Sequence, residues 1–149
     1  MVNWFKKKPA VPNGPDFSDI NSKDKAEARL QSGDFEKLFL LPAKFGGIDD
    51  LRNICYVPHG FVAIKRDIDT NIIKPLIESE KITEYQATPE YQSKIFVPIA
   101  IKIVARNPGS FTTDINIWGK ALGRVVCTGF EPVRKIGIGR RQWILAVTN

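Results

Sequence analysis

The chain has 149 residues, 43% hydrophobic and 26% charged, with a net charge of +6. That balance excludes wholesale disorder, leaves room for a sizeable core, and sets a single domain as the expectation. No run of about 18 apolar residues is present, which argues against a spanning helix. The start, Met1 to Pro9, places Lys6, Lys7 and Lys8 after Trp4 and Phe5 rather than before an apolar stretch. That order is not a secretory leader, so a cytoplasmic protein without a membrane role is expected.

Residues 1–21, rich in Pro, Gly, Asn and Asp, read as a flexible N-terminal tail, and residues 22–149 as one domain. Ser22 is a plausible N-cap for a short helix through Leu30, with Gly33 just past its end. Lys37 to Leu41 reads as a strand closed by Pro42. Phe45-Gly46-Gly47-Ile48-Asp49-Asp50 reads as a tight turn, and Asn53 to Val57 as a second strand stopped by Pro58. The clearest helix begins near His59 and Gly60, with Phe61, Ile64, Ile68, Ile72 and Leu76 at three- and four-residue steps. Pro75 predicts a kink or break near Asn71 to Lys74.

The second half of the chain reads as strands. They are Lys81 to Ala87, Ile95 to Val104, Phe111 to Ile117, Arg124 to Cys127, Val133 to Ile138 and Gln142 to Val147. A turn at Asn107-Pro108-Gly109-Ser110 and a hairpin tip near Gly139 to Arg141 join some of them. Helices and strands do not alternate. The expected fold is therefore α+β: a mostly antiparallel sheet with one long helix packed on a face and a short N-terminal helix.

Chemistry-bearing residues are sparse. His59 is the only imidazole, and no Gly-x-Ser-x-Gly elbow accompanies it, so it reads as a residue at the start of the helix rather than a base. Asp49-Asp50 sits in a turn, and Asp67 and Asp69 leave a helix on different sides. Cys55 and Cys127 fall in apolar runs and read as buried thiols; a disulfide requires their strands to be neighbours. Metal-ligand spacing, a P-loop and a dinucleotide fingerprint are all missing, so no metal or cofactor is expected.

Charge is segregated. Lys6 to Lys8 give +3, residues 120–141 give +5, and residues 9–119 give −2. The candidate partner-binding residues are Arg124, Arg134, Lys135, Arg140 and Arg141, able to face an acidic protein or a phosphate backbone. Trp143 beside them either stacks on bases or joins the core through the alternation Trp143, Leu145, Val147.

The stretch from about Leu38 to Val104 resembles the nonspecific DNA/RNA endonuclease domains at the ends of bacterial polymorphic toxins. Phe45-Gly46-Gly47, Asn53-Ile54 with Val57-Pro58, the helix Ile64 to Ile77, Tyr91, and Pro98 before Ile99 to Val104 carry the likeness. Where that family keeps its general-base histidine this chain has Leu40-Leu41-Pro42, and where it keeps a metal-binding asparagine this chain has Ile64 and Lys65. A metal nuclease needs both groups, so the resemblance implies a noncatalytic relative.

The Lys-rich start is also similar to small proteins encoded beside bacterial contact-dependent toxins, many of them immunity proteins. The leading expectation is a noncatalytic protein-binding domain with a toxin as partner. A nucleic-acid-binding module using the basic C-terminal segment and a divergent nuclease are the alternatives.

Overall fold

Ser22 caps the first helix, α1 (Lys23–Gln31), its side chain accepting from the Lys25 N–H. The structure, a computed structural model, describes residues 14–126, 128–131 and 142–143. After α1 the chain forms an antiparallel ribbon of β1 (Phe35–Phe39) and β2 (Ile54–Pro58), in register from Phe35 opposite Pro58 to Phe39 opposite Ile54. Short 3-10 turns at Ala43–Phe45 and Leu51–Asn53 shape the connection between the two strands.

A continuous helical stretch then runs from Phe61 to Glu78: α2 (Phe61–Ile68), a π-helical turn (Asp69–Ile73) and α3 (Lys74–Glu78). The π turn falls where Pro75 predicts a kink. Pro75 has no N–H for the Asn71 carbonyl and its ring crowds that carbonyl, so the preceding turn widens instead of breaking. α2 packs on the ribbon and α3 on the first strand of the main sheet.

That sheet has the order β6-β5-β4-β3-β7, built from β3 (Ile82–Glu90), β4 (Ala100–Pro108), β5 (Ser110–Asn116), β6 (Gly129–Glu131) and β7 (Gln142–Trp143). Every pairing is antiparallel except β3 with β7. The α+β architecture with a mostly antiparallel sheet is therefore present. Alternation divides the sheet into faces: Ile101, Ile103 and Ala105 of β4 with Phe111, Thr113 and Ile115 of β5 are buried, while Lys102 and Arg106 face outward.

Several expectations are corrected. Ala100, not Ile95, opens β4, because residues 91–99 form a loop. Among the described residues, 119–123 form a 3-10 turn and 124–126 are not strand. The tail boundary at residue 22 falls inside the packed structure: Ile20 is buried, and Phe17 meets Phe35 and Trp118 edge-on, with centroids 5.4 and 5.8 Å away. The expected helix stripe is displaced by one residue. Ile64 is exposed and Phe61, Ile68, Ile72 and Leu76 are half-buried, whereas the deepest row is Lys65, Asp69, Ile73 and Ile77. The expected hairpin near Gly139 lies outside the described residues.

Candidate functional site

Two of the four positions in the deepest row of the helix are charged. Lys65 and Asp69 are each 2% exposed, a turn apart, with Lys65 Nζ donating to Asp69 Oδ2 at 2.6 Å. Tyr85 of β3 completes the group. Its hydroxyl accepts from Lys65 Nζ at 2.9 Å and donates to Asp69 Oδ1 at 2.8 Å, while the Leu40 carbonyl lies 3.4 Å away. Burial pushes the Lys65 ammonium below the usual lysine range, opposed by the Asp69 carboxylate. Burial, the Asp69 charge and its hydrogen bond push the Tyr85 phenol well up. The phenol therefore stays protonated, and the network ties the helix, the sheet and the end of the ribbon together.

Lys65 and Asp69 also line an open cleft of about 190 Å³ between ribbon and helix. Its walls are mostly aliphatic, and Lys44 and Arg66 supply further positive charge. Lys44 donates to Thr70 Oγ1 at 2.6 Å and lies 5.4 Å from the centre of the Phe45 ring.

The loop from Pro42 to Asn53 forms the lip beside this cleft, and it is fastened from within. Asn53 is buried; its Oδ1 accepts from the Leu41 N–H at 2.7 Å, and its Nδ2 donates to the Leu41 and Ile48 carbonyls at 3.0 and 2.8 Å. Gly46 takes a left-handed conformation, φ +93°. Gly47 passes so close to the Leu41 carbonyl that any Cβ would collide with it. Asp50 caps the turn at Leu51–Asn53 by accepting from the Arg52 N–H and guanidinium. On this fixed backbone Ile48 and Leu51 are 67% and 71% exposed.

Of the residues expected from sequence to bind a partner, only Arg124 is among the described ones. Its guanidinium holds Glu90 with two hydrogen bonds, Nη1 to Oε2 at 2.5 Å and Nη2 to Oε1 at 2.8 Å, so a carboxylate already matches its charge. Arg134, Lys135, Arg140 and Arg141 lie outside the described residues. His59 is exposed and pairs through Nδ1 with Glu36 Oε1 at 3.1 Å; Glu36 Oε2 accepts from the Gly60 N–H at the start of α2.

Cys55 is buried and reduced, its thiol pushed up to about 11 by burial, with the Tyr91 hydroxyl donating to Sγ at 3.5 Å. Cys127 lies outside the described residues. Among the described residues no group of three His, Cys, Asp or Glu side chains could hold a metal, and no helix is long and apolar enough to cross a membrane.

The sequence names Lys65, Asp69 and Asn53 in other roles and leaves Tyr85 within a strand; it does not place these polar groups in the interior. The opposite charges of Lys65 and Asp69 at four-residue spacing were legible, but such pairs are ordinarily solvated. Compared with known proteins, the chain matches no family model, no curated protein and no solved structure.

Proposed function

We propose that this chain is a noncatalytic domain that binds another protein, and that the partner is a bacterial toxin which it neutralises as an immunity protein. The observation that carries the binding reading is the pair Ile48 and Leu51, large aliphatic side chains held out to solvent on a loop locked by Asn53. A loop already fixed in one conformation loses little entropy on association, and exposed apolar anchors on such a loop are what protein interfaces bury.

The noncatalytic part is supported by the cleft. Pro42 and Lys65, from the two positions where the resembling nucleases keep a base and a metal ligand, line the same cleft. There the first position offers apolar side chains and the second an ammonium clamped by Asp69 and Tyr85. Neither activates water nor coordinates a cation.

The test is co-purification from a nuclease-treated lysate with wild type and with Ile48→Ser/Leu51→Ser. A protein retained by wild type and lost by the double variant, at equal thermal stability, is expected. If the gene beside its own encodes a toxin, coexpression with that toxin should restore growth. Recovery of nucleic acid alone, or magnesium-dependent cleavage abolished by His59→Ala, overturns the proposal.

A further inference from the structure

The cleft between ribbon and helix has a chemistry of its own, separate from the Ile48–Leu51 lip. Leu38, Phe39, Pro42, Ala43 and Val62 give it apolar walls. The charged groups lining it are Lys44, Lys65, Arg66 and Asp69. Asp69 is matched by Lys65 at 2.6 Å, which leaves the positive charges of Lys44 and Arg66 uncompensated within the lining. An ammonium carries three N–H donors. Lys65 uses two among the described residues, on Asp69 and Tyr85.

We infer that this cleft receives an aliphatic side chain with a carboxylate beside it, presented by an acidic segment of the protein partner. The inference rests on the reading above for the partner being a protein; the ligand chemistry rests on the cleft. An aliphatic group fills the space between Phe39, Pro42 and Val62 and removes apolar surface from water on both sides. The adjoining carboxylate meets Lys44 and Arg66 at the rim, where charge complementarity selects it over a neutral or basic group. A nucleic-acid strand fits these walls less well. It needs a row of cations and a succession of stacking aromatics, whereas the lining offers Phe39 as its only aromatic ring.

The probe is N-acetyl-leucyl-aspartyl amide, with N-acetyl-leucyl-asparaginyl amide as its neutral counterpart, titrated into the full 15N-labelled chain and followed through backbone amide shifts. Saturable shifts centred on Ala43, Lys44, Val62 and Arg66 are expected with the aspartate peptide in the millimolar range. Affinity should fall about two- to fivefold for Lys44→Gln and for Arg66→Gln, as for loss of a partly exposed ion pair. Lys102→Gln, on the outer face of the sheet, should leave it unchanged. Arg66 is exposed, so Arg66→Gln keeps the test decisive even if Lys44→Gln folds poorly.

Equal binding of both peptides, shifts centred elsewhere, or no saturable shift overturns the inference. So does an oligothymidine that moves the same amides at lower concentration. A partner captured through Ile48 and Leu51 while the peptide stays silent would sink this inference and leave the proposed function standing. A peptide that binds while no protein partner is ever captured would sink the proposed function and leave only the ligand chemistry of the cleft standing.

Discussion

Asn53 holds Leu41 from both sides. Its Oδ1 accepts from the Leu41 N–H at 2.7 Å and its Nδ2 donates to the Leu41 carbonyl at 3.0 Å. A side-chain amide presents an acceptor and a donor side by side, so it can serve both backbone groups of one residue at once. The pair therefore continues the ribbon past Leu40, whose own N–H donates to the Asn53 carbonyl at 2.9 Å. Without it the Leu41 N–H is left with no acceptor in the interior. Asn53→Ala should cost about 2–4 kcal/mol, since each buried group stranded this way costs about 1–3 kcal/mol. Asn53→Asp should be no better, because it keeps the acceptor but turns a carboxylate toward two carbonyl oxygens. Urea unfolding checks the cost, and faster amide exchange between residues 42 and 53 shows that it falls on the loop.

The Lys65–Asp69–Tyr85 network is destabilising to break and cheap to replace. Removing one member of a buried ion pair strands the other charge, so Asp69→Ala should cost about 3–5 kcal/mol. Replacing the whole group with apolar residues of similar shape, Lys65→Met/Asp69→Leu/Tyr85→Phe, removes all three desolvation terms together. The triple variant should regain most of that loss, with the mixed α+β far-ultraviolet signature intact. A triple variant as unstable as Asp69→Ala would mean that the network itself supplies the stability, rather than being tolerated by it.

Much of this fold is legible in the sequence, and the site much less so. Ser22, Gly33, Pro42, Gly46 and Pro58 punctuate the chain through local backbone chemistry, and each lies at or next to an element boundary. The alternation Phe111, Thr113, Ile115 gives the buried face of β5 correctly for the same reason. The helix misleads because apolar spacing locates a face only to within one residue's rotation. Ile68 and Ile72 mark a half-buried flank and Ile64 is exposed, and the buried row beside them carries a lysine and an aspartate that no hydropathy pattern places inside. Their burial depends on Tyr85, twenty residues past Lys65 on another element. Asn53 is illegible for a related reason: a polar residue before a strand looks like a turn former, and only the close passage of Leu41 makes it a clamp. The segregated basic charge is plain in sequence, yet Arg124, the one described member of the candidate partner-binding set, is committed to Glu90.

Cys55 should be inert in the native protein. Thiol chemistry proceeds through the thiolate, and Cys55 is buried with its thiol pushed up to about 11. Near neutral pH both access and ionisation oppose the reaction. Iodoacetamide at pH 7.5 followed by peptide mass mapping should leave the Cys55 peptide unmodified over hours and modify it within minutes in 6 M guanidinium. Rapid native modification would mean that β2 opens far more often than the burial of Cys55 implies.

The ion pair between Glu90 and Arg124 makes a pH-dependent contribution whose sign is fixed. The two hydrogen bonds from Arg124 hold the Glu90 carboxyl below its usual range, whereas in the unfolded chain it returns to the ordinary glutamate value of about 4.3. A carboxyl lowered on folding stabilises the native state fully above the unfolded value, and that contribution disappears as pH falls through the folded one. Both side chains are partly exposed and solvent screens them, so the effect is small. It is best read as a difference. Tm of wild type minus Tm of Arg124→Ala should be positive and flat from pH 7 down to about 5, then shrink toward zero as pH falls below about 4. Other carboxylates titrate in both proteins and cancel. In the same variant the Glu90 side-chain carboxyl carbon, followed by NMR, should titrate at higher pH than in wild type. A difference that instead grows on acidification would mean that Arg124 stabilises the fold through packing against residues other than Glu90.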